Sequence, residues 1–386
     1  MEHPAMRTDN APVIVAARRT AITSSGRGFA QHTVDALAAP LLGSIAAELA
    51  AAGRPVDEVI LGNCLGPGGN VARVAGLRAG LDESVPAVTV DRQCGSGLEA
   101  VLQAGTLLRS GAAELVIAGG AESASTAPWR FWPPQGDAQP ERYTRAPFAP
   151  IGWPDPEMGP AADAVAARFG ISRQRQDEWA ARSHDLASAT RERGGFDAEI
   201  VAVDGVTRDD RPRRDLDRGR LARFGAAFSA GGTVTAGNSC GISDGAAALA
   251  VTTEAVRAEL GLPGLRIVAA STAGSDPALP GIGAVAAVRK LLARTGVATS
   301  ELDAVEITEA FAAQLLAVSD ELGLDEERIS AGGGAIALGH PWGASGAVLV
   351  VRLAARMLAG GDRRYGLAAC SIGGGQGIAM LVERAA

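Results

Sequence analysis

The sequence predicts an α/β protein built from two related halves with an irregular segment inserted between them. From residue 13 to about residue 120, short strands rich in Val and Ile alternate with alanine-rich helices. The same alternation returns from about residue 265 to the C-terminus. The stretch between has a different composition, rich in aromatic residues, Pro and Arg. At 386 residues, the chain is long enough for two or three packed units.

Two strands in each half predict that the halves share one pattern. Residues 58–62 and 114–120 form the two apolar runs of the first half. Residues 304–307 and 365–370 are the corresponding runs of the second half. In both halves the second run leads into a turn of small residues. This order, rather than residue identity, indicates the repeat.

We predict the domain boundaries from these changes in composition. The first half comprises residues 1–120 together with 241–265, the inserted segment comprises 121–240, and the second half comprises 266–386. Long irregular segments inside compact enzymes are commonly binding elements. The inserted segment is therefore predicted to be a lid that helps to bind a substrate, and a surface loop or oligomer contact held by aromatic packing is the alternative.

The inserted segment has two recognisable parts. The first is a proline-interrupted aromatic stretch that contains six of the 15 aromatic residues of the chain, namely Trp129, Phe131, Trp132, Tyr143, Phe148 and Trp153. The second is a helix predicted over residues 172–193, which begins at a serine suited to cap its N-terminus. An Arg- and Asp-rich stretch follows from residue 208 to residue 223.

Composition excludes several classes of function. The net charge of −7 and the absence of a basic block argue against nucleic acid as a partner. The four cysteines lack the paired spacing of a zinc site or a disulfide framework, so no metal is expected. No apolar run approaches the ~20 residues needed to span a bilayer. We therefore expect a cytoplasmic protein with no membrane partner.

One cysteine lies where a strand should turn into a helix. Residues 86–90 resemble the end of a strand, and apolar residues recur with helical spacing from Leu98. Cys94 lies between them, where free backbone N–H groups of the helix are expected to lower its pKa from about 8.5. Gly95 and Gly97 are expected to leave room for a bulky substrate. Cys94 is a candidate nucleophile, and the alternative is a buried apolar cysteine.

Several further segments occur in a fixed order along the chain. They are Val15–Ala21, Thr233–Ser239, Asp244–Ala248, Thr308–Gln314, Gly333–Gly346 and Ser371–Gly377. Together with the Cys94 segment, they resemble the thiolase family over most of the chain. The resemblance implies a five-layered αβαβα fold, with a loop domain inserted in the first half. It also implies acyl transfer to and from coenzyme A, which would be a substrate, with no covalently bound cofactor.

The resemblance assigns three catalytic roles. Cys94 would attack the thioester, and His340, held in Gly-His-Pro, would take its proton. The backbone N–H groups of Cys94 and Gly373 correspond to an oxyanion hole. A structural role is the alternative for His340.

Two positions depart from the family pattern at the site. Ser371 stands where thiolases usually carry a second, acid/base cysteine, and Thr308 stands where they usually carry an asparagine that fixes a water. Cys370 is adjacent to Ser371, but we expect it to be buried and to reach the site only through a backbone bulge. We therefore expect these substitutions to affect the steps that form or break the carbon–carbon bond more than they affect acylation of Cys94.

The resemblance also suggests contacts to coenzyme A and to the acyl group. The predicted contact residues are Met158, Arg213, Arg220, Ala236, Cys240, Phe311 and Trp342. Cys240 replaces a common hydroxyl, Gly332 replaces a common asparagine, and Trp342 places a large ring beside His340. The arginines could equally be solvated surface residues, and Met158 and Phe311 could equally be core residues.

These observations predict an acyl-CoA C-acyltransferase that makes or breaks 3-ketoacyl-CoA in fatty acid metabolism. Two alternatives remain, a biosynthetic condensing acyltransferase and a non-catalytic acyl-CoA-binding homologue. The resemblance also implies a homodimer or homotetramer. Chain length of the acyl group and direction of the pathway are not determined by the sequence.

Overall fold

The computed structural model describes residues 8–385. The first half contains β1 (Pro12–Arg19), β2 (Thr23–Ser24), α1 (Val34–Ala51), β3 (Glu58–Gly62), α2 (Val71–Arg78), β4 (Ala87–Val90), α3 (Ser96–Ser110) and β5 (Leu115–Glu122). The inserted segment contains β6 (Arg130–Trp132), β7 (Glu141–Tyr143), α4 (Met158–Phe169), α5 (Arg173–Glu192) and α6 (Arg218–Leu221). The chain then returns to the first half with β8 (Ser243–Thr253) and α7 (Glu254–Leu260).

The second half completes the chain. It contains β9 (Leu265–Gly274), α8 (Gly283–Thr295), β10 (Leu302–Ile307), α9 (Ala312–Leu322), α10 (Ala335–Leu338), α11 (Trp342–Leu358), β11 (Tyr365–Ile372) and β12 (Gln376–Arg384). The strands of the two halves follow one path, in the order β10-β11-β12-β9-β1-β8-β5-β3-β4, and β2 pairs with β8. Strands β6 and β7 form a separate two-stranded sheet. The halves join where β1 meets β9, at the pairs Val13–Arg266 and Ile14–Leu265.

The two halves have the same topology. In the first, β5 is parallel to β3 and antiparallel to β8. In the second, β11 is parallel to β10 and antiparallel to β12. Helices α3 and α11 precede β5 and β11 respectively. The strands predicted from residues 304–307 and 365–370 therefore occupy the same places in their sheet as the strands predicted from 58–62 and 114–120.

The layers follow from which helices contact which strands. Helices α3 and α11 pack against each other between the two sheets, while α1 and α2 cover one outer face and α8 and α9 the other. This is the predicted five-layered αβαβα arrangement. Because α3 and α11 lie in the middle layer, residues at their N-termini can meet in the interior.

Helix α1 is long and apolar enough by composition to cross a membrane. Its apolar residues, including Leu37, Leu41 and Ile45, are buried in the core cluster between this helix and the first sheet. Its apolar character is therefore accounted for by packing in the protein core.

The inserted segment contains the predicted helix and an exposed hairpin. Ser172 accepts a hydrogen bond from the backbone N–H of Arg175 at 3.2 Å, which caps α5 as predicted. In the β6–β7 hairpin, Trp132 stacks on Tyr143 with ring centroids 4.5 Å apart. Trp132 is nevertheless exposed to solvent, as are Trp129, Phe131 and Trp153. Most of the aromatic stretch therefore lies on the surface.

A buried ion cluster ties the inserted segment to both halves. Arg19 of β1 pairs with Glu199 at 2.8 Å and with Asp209 at 2.7 Å. Arg352 of α11 pairs with the other oxygen of Glu199 at 2.7 Å. The guanidinium groups of Arg19 and Arg352 both lie over the ring of Phe196, 5.2 and 4.5 Å from its centroid. These charged groups are almost completely buried, so any one of them without its ion-pair partner would strongly destabilise the folded protein.

Candidate active site

Cys94 lies in a tight turn between β4 and α3. Gln93, the residue before it, adopts a left-handed backbone conformation with φ of 48°, which is uncommon outside glycine. The hydroxyl of Ser96 accepts a hydrogen bond from the N–H of Arg92 at 2.8 Å and donates one to the carbonyl of Gln93 at 2.6 Å. These local bonds hold the turn, so Cys94 has a defined position at the start of the helix, as predicted.

The glycines on either side of Cys94 are required by packing inside the protein. A Cβ on Gly95 would lie 2.5 Å from the side chain of Ile372, and one on Gly97 would lie 2.7 Å from the backbone nitrogen of Ala347. The prediction that they leave room for substrate is therefore wrong. Their role is to let α3 approach β11 and α11 closely.

His340 faces Cys94 from the second half of the chain. It lies between α10 and α11, and its Nε2 is 3.3 Å from the sulfur of Cys94. Its Nδ1 is 2.6 Å from the hydroxyl oxygen of Ser345. The backbone N–H of His340 donates to the hydroxyl of Ser243 at 3.3 Å. Cys94 and His340 are 246 positions apart in the sequence, and the packing of the middle layer brings their side chains into contact.

Burial dominates the electrostatics of this pair. It raises the pKa of the Cys94 thiol to about 12, although the backbone N–H groups of Cys94 and Gly373 act in the opposite direction. Burial also lowers the pKa of His340 to about 4. The prediction of a lowered pKa for Cys94 is therefore wrong for the free protein, because lost hydration outweighs the helix N-terminus. The resting pair is a neutral thiol beside a neutral imidazole.

The backbone N–H groups of Cys94 and Gly373 both interact with the cysteine sulfur. Gly373 directly follows β11, and a Cβ at this position would lie 2.6 Å from the ring of Phe148. Phe148 therefore packs directly on the loop that carries one of these donors, and it comes from the predicted lid. The two N–H groups are suited to stabilise negative charge that develops beside the sulfur.

Strand β11 carries Cys370 and Ser371 on opposite faces of the sheet. Cys370 is fully buried in the apolar cluster against which Cys94 packs. The hydroxyl of Ser371 accepts a hydrogen bond from the backbone N–H of Ala284, at the start of α8, at 3.1 Å. The pairing of β11 with β12 is regular from Tyr365 to Ile372. Cys370 therefore faces the middle layer without the backbone bulge that we predicted it would need.

Thr308 lies next to these residues, just after β10. Its Oγ1 is buried and makes no hydrogen bond of normal geometry to a described residue. Burial raises the pKa of Cys370, as would a negative charge on Cys94, whereas contact with Thr308 lowers it. Thr308 and Cys370 are thus neighbours of Cys94, and neither is within hydrogen-bond distance of its sulfur among the described contacts.

A cavity of about 540 Å³ lies between the inserted segment and the first half. Its lining includes Ser24, Arg27, Gly28, His184, Asp210, Arg211, Arg213, Leu216, Phe224, Ala236 and Gly237. The guanidinium of Arg211 lies against Gly241, whose carbonyl accepts a hydrogen bond from the N–H of His340 at 3.4 Å. One residue of the cavity lining, Arg211, is therefore linked to the backbone of His340 through Gly241.

The arginines of this cavity differ from those predicted. Arg213, which was predicted to contact coenzyme A, lines the cavity and is paired with Asp215 at 3.3 Å. Arg220 is not among the residues that line the cavity, and it also binds Asp215. Arg27 and Arg211, which the sequence did not single out, line it without a carboxylate partner among residues 8–385. Their free guanidinium groups make the cavity suited to an anion.

The other residues predicted to contact coenzyme A or the acyl group lie in different parts of the structure. Ala236 lines the cavity. Met158 begins α4, and Phe311 precedes α9 and packs edge-on against Phe228 with ring centroids 5.9 Å apart. Trp342 is the half-buried first residue of α11.

Cys240 is half-buried outside the cavity lining. Burial raises the pKa of its thiol to about 12, while the positive charge of Arg211 acts against that rise.

The reason for glycine at position 332 is visible in the structure. A Cβ there would lie 2.2 Å from Nη2 of Arg352, whose guanidinium belongs to the buried ion cluster. Ser345, which lies five residues after His340, was not predicted from the sequence to belong to the site. The signal in the sequence was a serine only five residues after the candidate catalytic histidine, in the first turn of the helix that follows it.

Comparisons with known proteins agree with this geometry. Residues 12–255 match the model of the thiolase N-terminal domain, and residues 262–384 match that of the thiolase C-terminal domain. A Bacillus subtilis protein provisionally named acetyl-CoA C-acetyltransferase YhfS is 42% identical over 378 residues, which cover 96% of this chain and 98% of the relative.

Two further comparisons extend the match. A Staphylococcus epidermidis protein provisionally named acetyl-CoA C-acetyltransferase VraB is 42% identical over 381 residues, which cover 97% of this chain and 98% of the relative. The crystal structure of the Bacillus anthracis acetyl-CoA acetyltransferase superposes with a TM-score of 0.90 at 36% identity, covering 97% of this chain and 99% of that one.

Proposed function

The chain belongs to the thiolase family, and from that premise we propose that it transfers acyl groups to and from coenzyme A through a thioester on Cys94. The observation that carries the proposal is the 3.3 Å separation between the Cys94 sulfur and Nε2 of His340. The effect of the backbone N–H groups of Cys94 and Gly373, which lowers the pKa of the same sulfur against the effect of burial, supports it. As a thiolase-type acyltransferase, the protein makes or breaks 3-ketoacyl-CoA.

The first half of the reaction uses groups that contact one another. His340 accepts the Cys94 proton at Nε2 as the sulfur attacks the thioester carbonyl, and the N–H groups of Cys94 and Gly373 stabilise the resulting oxyanion. Collapse of this intermediate breaks the carbon–sulfur bond of the donor. The coenzyme A thiolate leaves with the proton held by His340, and the acyl group remains on Cys94 as a thioester.

The second half of the reaction depends on the two substituted positions. Forming or breaking the carbon–carbon bond needs a group that moves the proton of the substrate's α-carbon. Ser371 faces α8, so Cys370, which faces the middle layer with Cys94, would have to supply it. A serine hydroxyl releases its proton far less readily than a thiol, and burial raises the pKa of Cys370. With Thr308 in place of asparagine, loss of an oxyanion contact costs about 100- to 1,000-fold in rate. We therefore propose slow or specialised carbon–carbon chemistry.

The cavity is the proposed binding site for coenzyme A, with no covalently bound cofactor. Arg27, Arg211 and Arg213 line it, and their positive charges are suited to the phosphates of the substrate. Ala236 and Phe224 lie on the same wall and provide apolar contact. Arg220 is not part of this proposal, because it does not line the cavity. The assembly proposed from the family is a homodimer or homotetramer in the cytoplasm.

The central experiment separates acyl loading from turnover. Intact protein is mixed with acetyl-CoA, which acylates Cys94 without breaking a carbon–carbon bond, and the mass increase on Cys94 is measured beside the steady-state rate of thiolysis of acetoacetyl-CoA with free coenzyme A. We expect rapid acylation that Cys94→Ser abolishes, together with slow thiolysis. The variant Thr308→Asn should raise the thiolysis rate, whereas Ser371→Cys should change it little, because Ser371 faces α8 and not the middle layer. Fast thiolysis by the natural protein would show that these substitutions matter little.

Two alternatives are distinguished by the same measurements. A biosynthetic condensing enzyme would be acylated faster by an acyl-carrier protein than by acyl-CoA. A non-catalytic acyl-CoA binder would bind coenzyme A but would show no acylation, and Cys94→Ser would change no measurable activity. The contact between Cys94 and His340 favours a catalytic protein, because binding alone gives no reason to bury a thiol against an imidazole.

A further inference from the structure

We propose that Ser345 is a positioning residue that holds His340 in the one tautomer able to take a proton from Cys94. This inference rests on the proposed function for the role of His340 as base. It adds a residue to which neither the sequence motifs nor the family resemblance assigned a role. Ser345 acts through His340 and has no contact with Cys94 among the described hydrogen bonds.

The imidazole has one polar partner at each ring nitrogen. Nε2 faces Cys94 at 3.3 Å and Nδ1 faces the Ser345 hydroxyl at 2.6 Å. His340 and Ser345 are only 3% and 5% exposed, so water does not compete freely for either nitrogen. The position of the ring between sulfur and hydroxyl is therefore fixed by two contacts on opposite sides.

Ser345 is held relative to Cys94 by the contact between the two middle helices. It lies in the first turn of α11, which begins two residues after His340. A Cβ on the neighbouring Gly346 would lie 2.4 Å from the backbone nitrogen of Leu98 in α3. The helix that carries the hydroxyl and the helix that follows the nucleophile thus touch through their backbones, which leaves little freedom in the spacing from hydroxyl to imidazole to thiol.

The direction of the hydrogen bond determines what His340 can do. A neutral imidazole carries one proton, and Nε2 can accept from Cys94 only when that proton is on Nδ1. In that tautomer Nδ1–H must donate, and Ser345 Oγ is the acceptor within reach. After Nε2 has been protonated, the same bond stabilises the imidazolium, whose formation burial otherwise disfavours. Ser345 therefore favours the reactive state before and after proton transfer.

The hydroxyl proton of Ser345 also has a place to go. A cavity of about 20 Å³ lies behind it, and Ser345, Thr308 and Arg352 are among the residues that line this space. Its volume is sufficient for one water molecule. Oγ1 of Thr308 and Nε of Arg352 are buried without a partner among the described residues. A polar space beside Ser345 lets its proton point away from His340, so that Oγ remains an acceptor for Nδ1–H.

The test compares Ser345→Ala and Ser345→Thr with a matched control. Ser188 in α5 is also completely buried, and its hydroxyl has no hydrogen-bond partner among the described residues, so Ser188→Ala reports the general effect of removing a buried hydroxyl. Ser345→Ala should lower kcat and the rate of Cys94 acylation about 10- to 100-fold, with little change in KM. Ser345→Thr should restore most of this loss, and Ser188→Ala should react like the natural protein.

An arm with His340→Asn separates this inference from the proposed function. If His340→Asn leaves acylation unchanged, the role of His340 as base is wrong. If His340→Asn slows acylation but Ser345→Ala matches the Ser188→Ala control, the inference about Ser345 alone is overturned.

One measurement does not depend on whether the Ser345 variants fold. Nitrogen-15 spectra of the natural protein labelled at histidine, assigned with His340→Asn, report which ring nitrogen carries the proton. We expect a protonated Nδ1 and an unprotonated Nε2 at neutral pH. A proton on Nε2 in the resting protein would contradict the role proposed for Ser345.

Discussion

The close approach of α3 and α11 predicts that one methyl group on Gly97 will impair catalysis. A Cβ there would lie 2.7 Å from the backbone nitrogen of Ala347, whereas ordinary contact begins at 3.4 Å. The helices must therefore separate by about 0.7 Å, because the atom that is met belongs to the backbone of a packed helix. Helix α3 follows Cys94 and helix α11 follows His340. A similar increase in their separation would lengthen the 3.3 Å contact between the Cys94 sulfur and Nε2 of His340 towards 4 Å.

The expected magnitude has a kinetic and a thermodynamic part. Misplacement by about 1 Å can cost on the order of 100-fold in rate, so Gly97→Ala should lower kcat about 10- to 100-fold. Overpacking should cost about 1–3 kcal/mol of unfolding free energy, partly offset by up to about 1 kcal/mol of improved helix propensity. The assays are acylation of Cys94 followed by mass spectrometry and chemical denaturation of the same protein.

Gly105 provides the matched control on the same helix. The nearest atom to a Cβ at this position is 3.5 Å away, which is ordinary contact. Gly105→Ala should therefore keep full activity and gain a little stability from helix propensity. If Gly97→Ala were as active and as stable as Gly105→Ala, the argument that backbone contact between α3 and α11 sets the position of Cys94 relative to His340 would be refuted.

Three further predictions follow from burial and charge. Burial lowers the pKa of His340 to about 4, so between pH 6.5 and 4 the unfolded chain binds a proton at this residue and the folded protein does not. The free energy of unfolding should therefore fall by about 3 kcal/mol over this range. The variant His340→Asn should show a smaller fall in denaturation curves. Gly332→Ala should destabilise the protein by about 1–3 kcal/mol, because its Cβ would displace the buried guanidinium of Arg352, and an unchanged midpoint of denaturation would contradict this. Arg211→Ala should weaken coenzyme A binding about 10-fold or more by calorimetry, whereas Arg220→Ala should leave it nearly unchanged, and equal effects would argue against the cavity as the site.

Most of the fold could be predicted from the sequence. The strand at 58–62 has the predicted bounds, and the helix predicted over 172–193 spans Arg173–Glu192 behind its Ser172 cap. These features depend on local chemistry, namely apolar periodicity and capping, which the order of residues displays directly. The αβαβα arrangement followed from the thiolase resemblance and agrees with the family to which the chain belongs.

Predictions about the environment of individual groups were less successful. The free N–H groups near Cys94 suggested a lowered pKa, but the depth of burial reverses the direction. Gly95 and Gly97 suggested open space, but Ile372 and α11 occupy it. Arg220 was predicted to contact coenzyme A, and in the structure it lies outside the lining of the cavity. In each case the deciding neighbour is distant in the chain or depends on how a loop folds.

The sequence by itself determined the class of the fold, the position of Cys94 at a junction of strand and helix, and the candidate pairing of its sulfur with His340. Tertiary structure alone decided the protonation states of that pair, the contact of the imidazole with Ser345, the side of the sheet that Cys370 faces and the arginines that remain free in the cavity. The physical reason is that periodicity and turn chemistry act over a few neighbouring residues. Desolvation, close backbone contact and charge pairing depend on which distant parts of the chain exclude water from the same place.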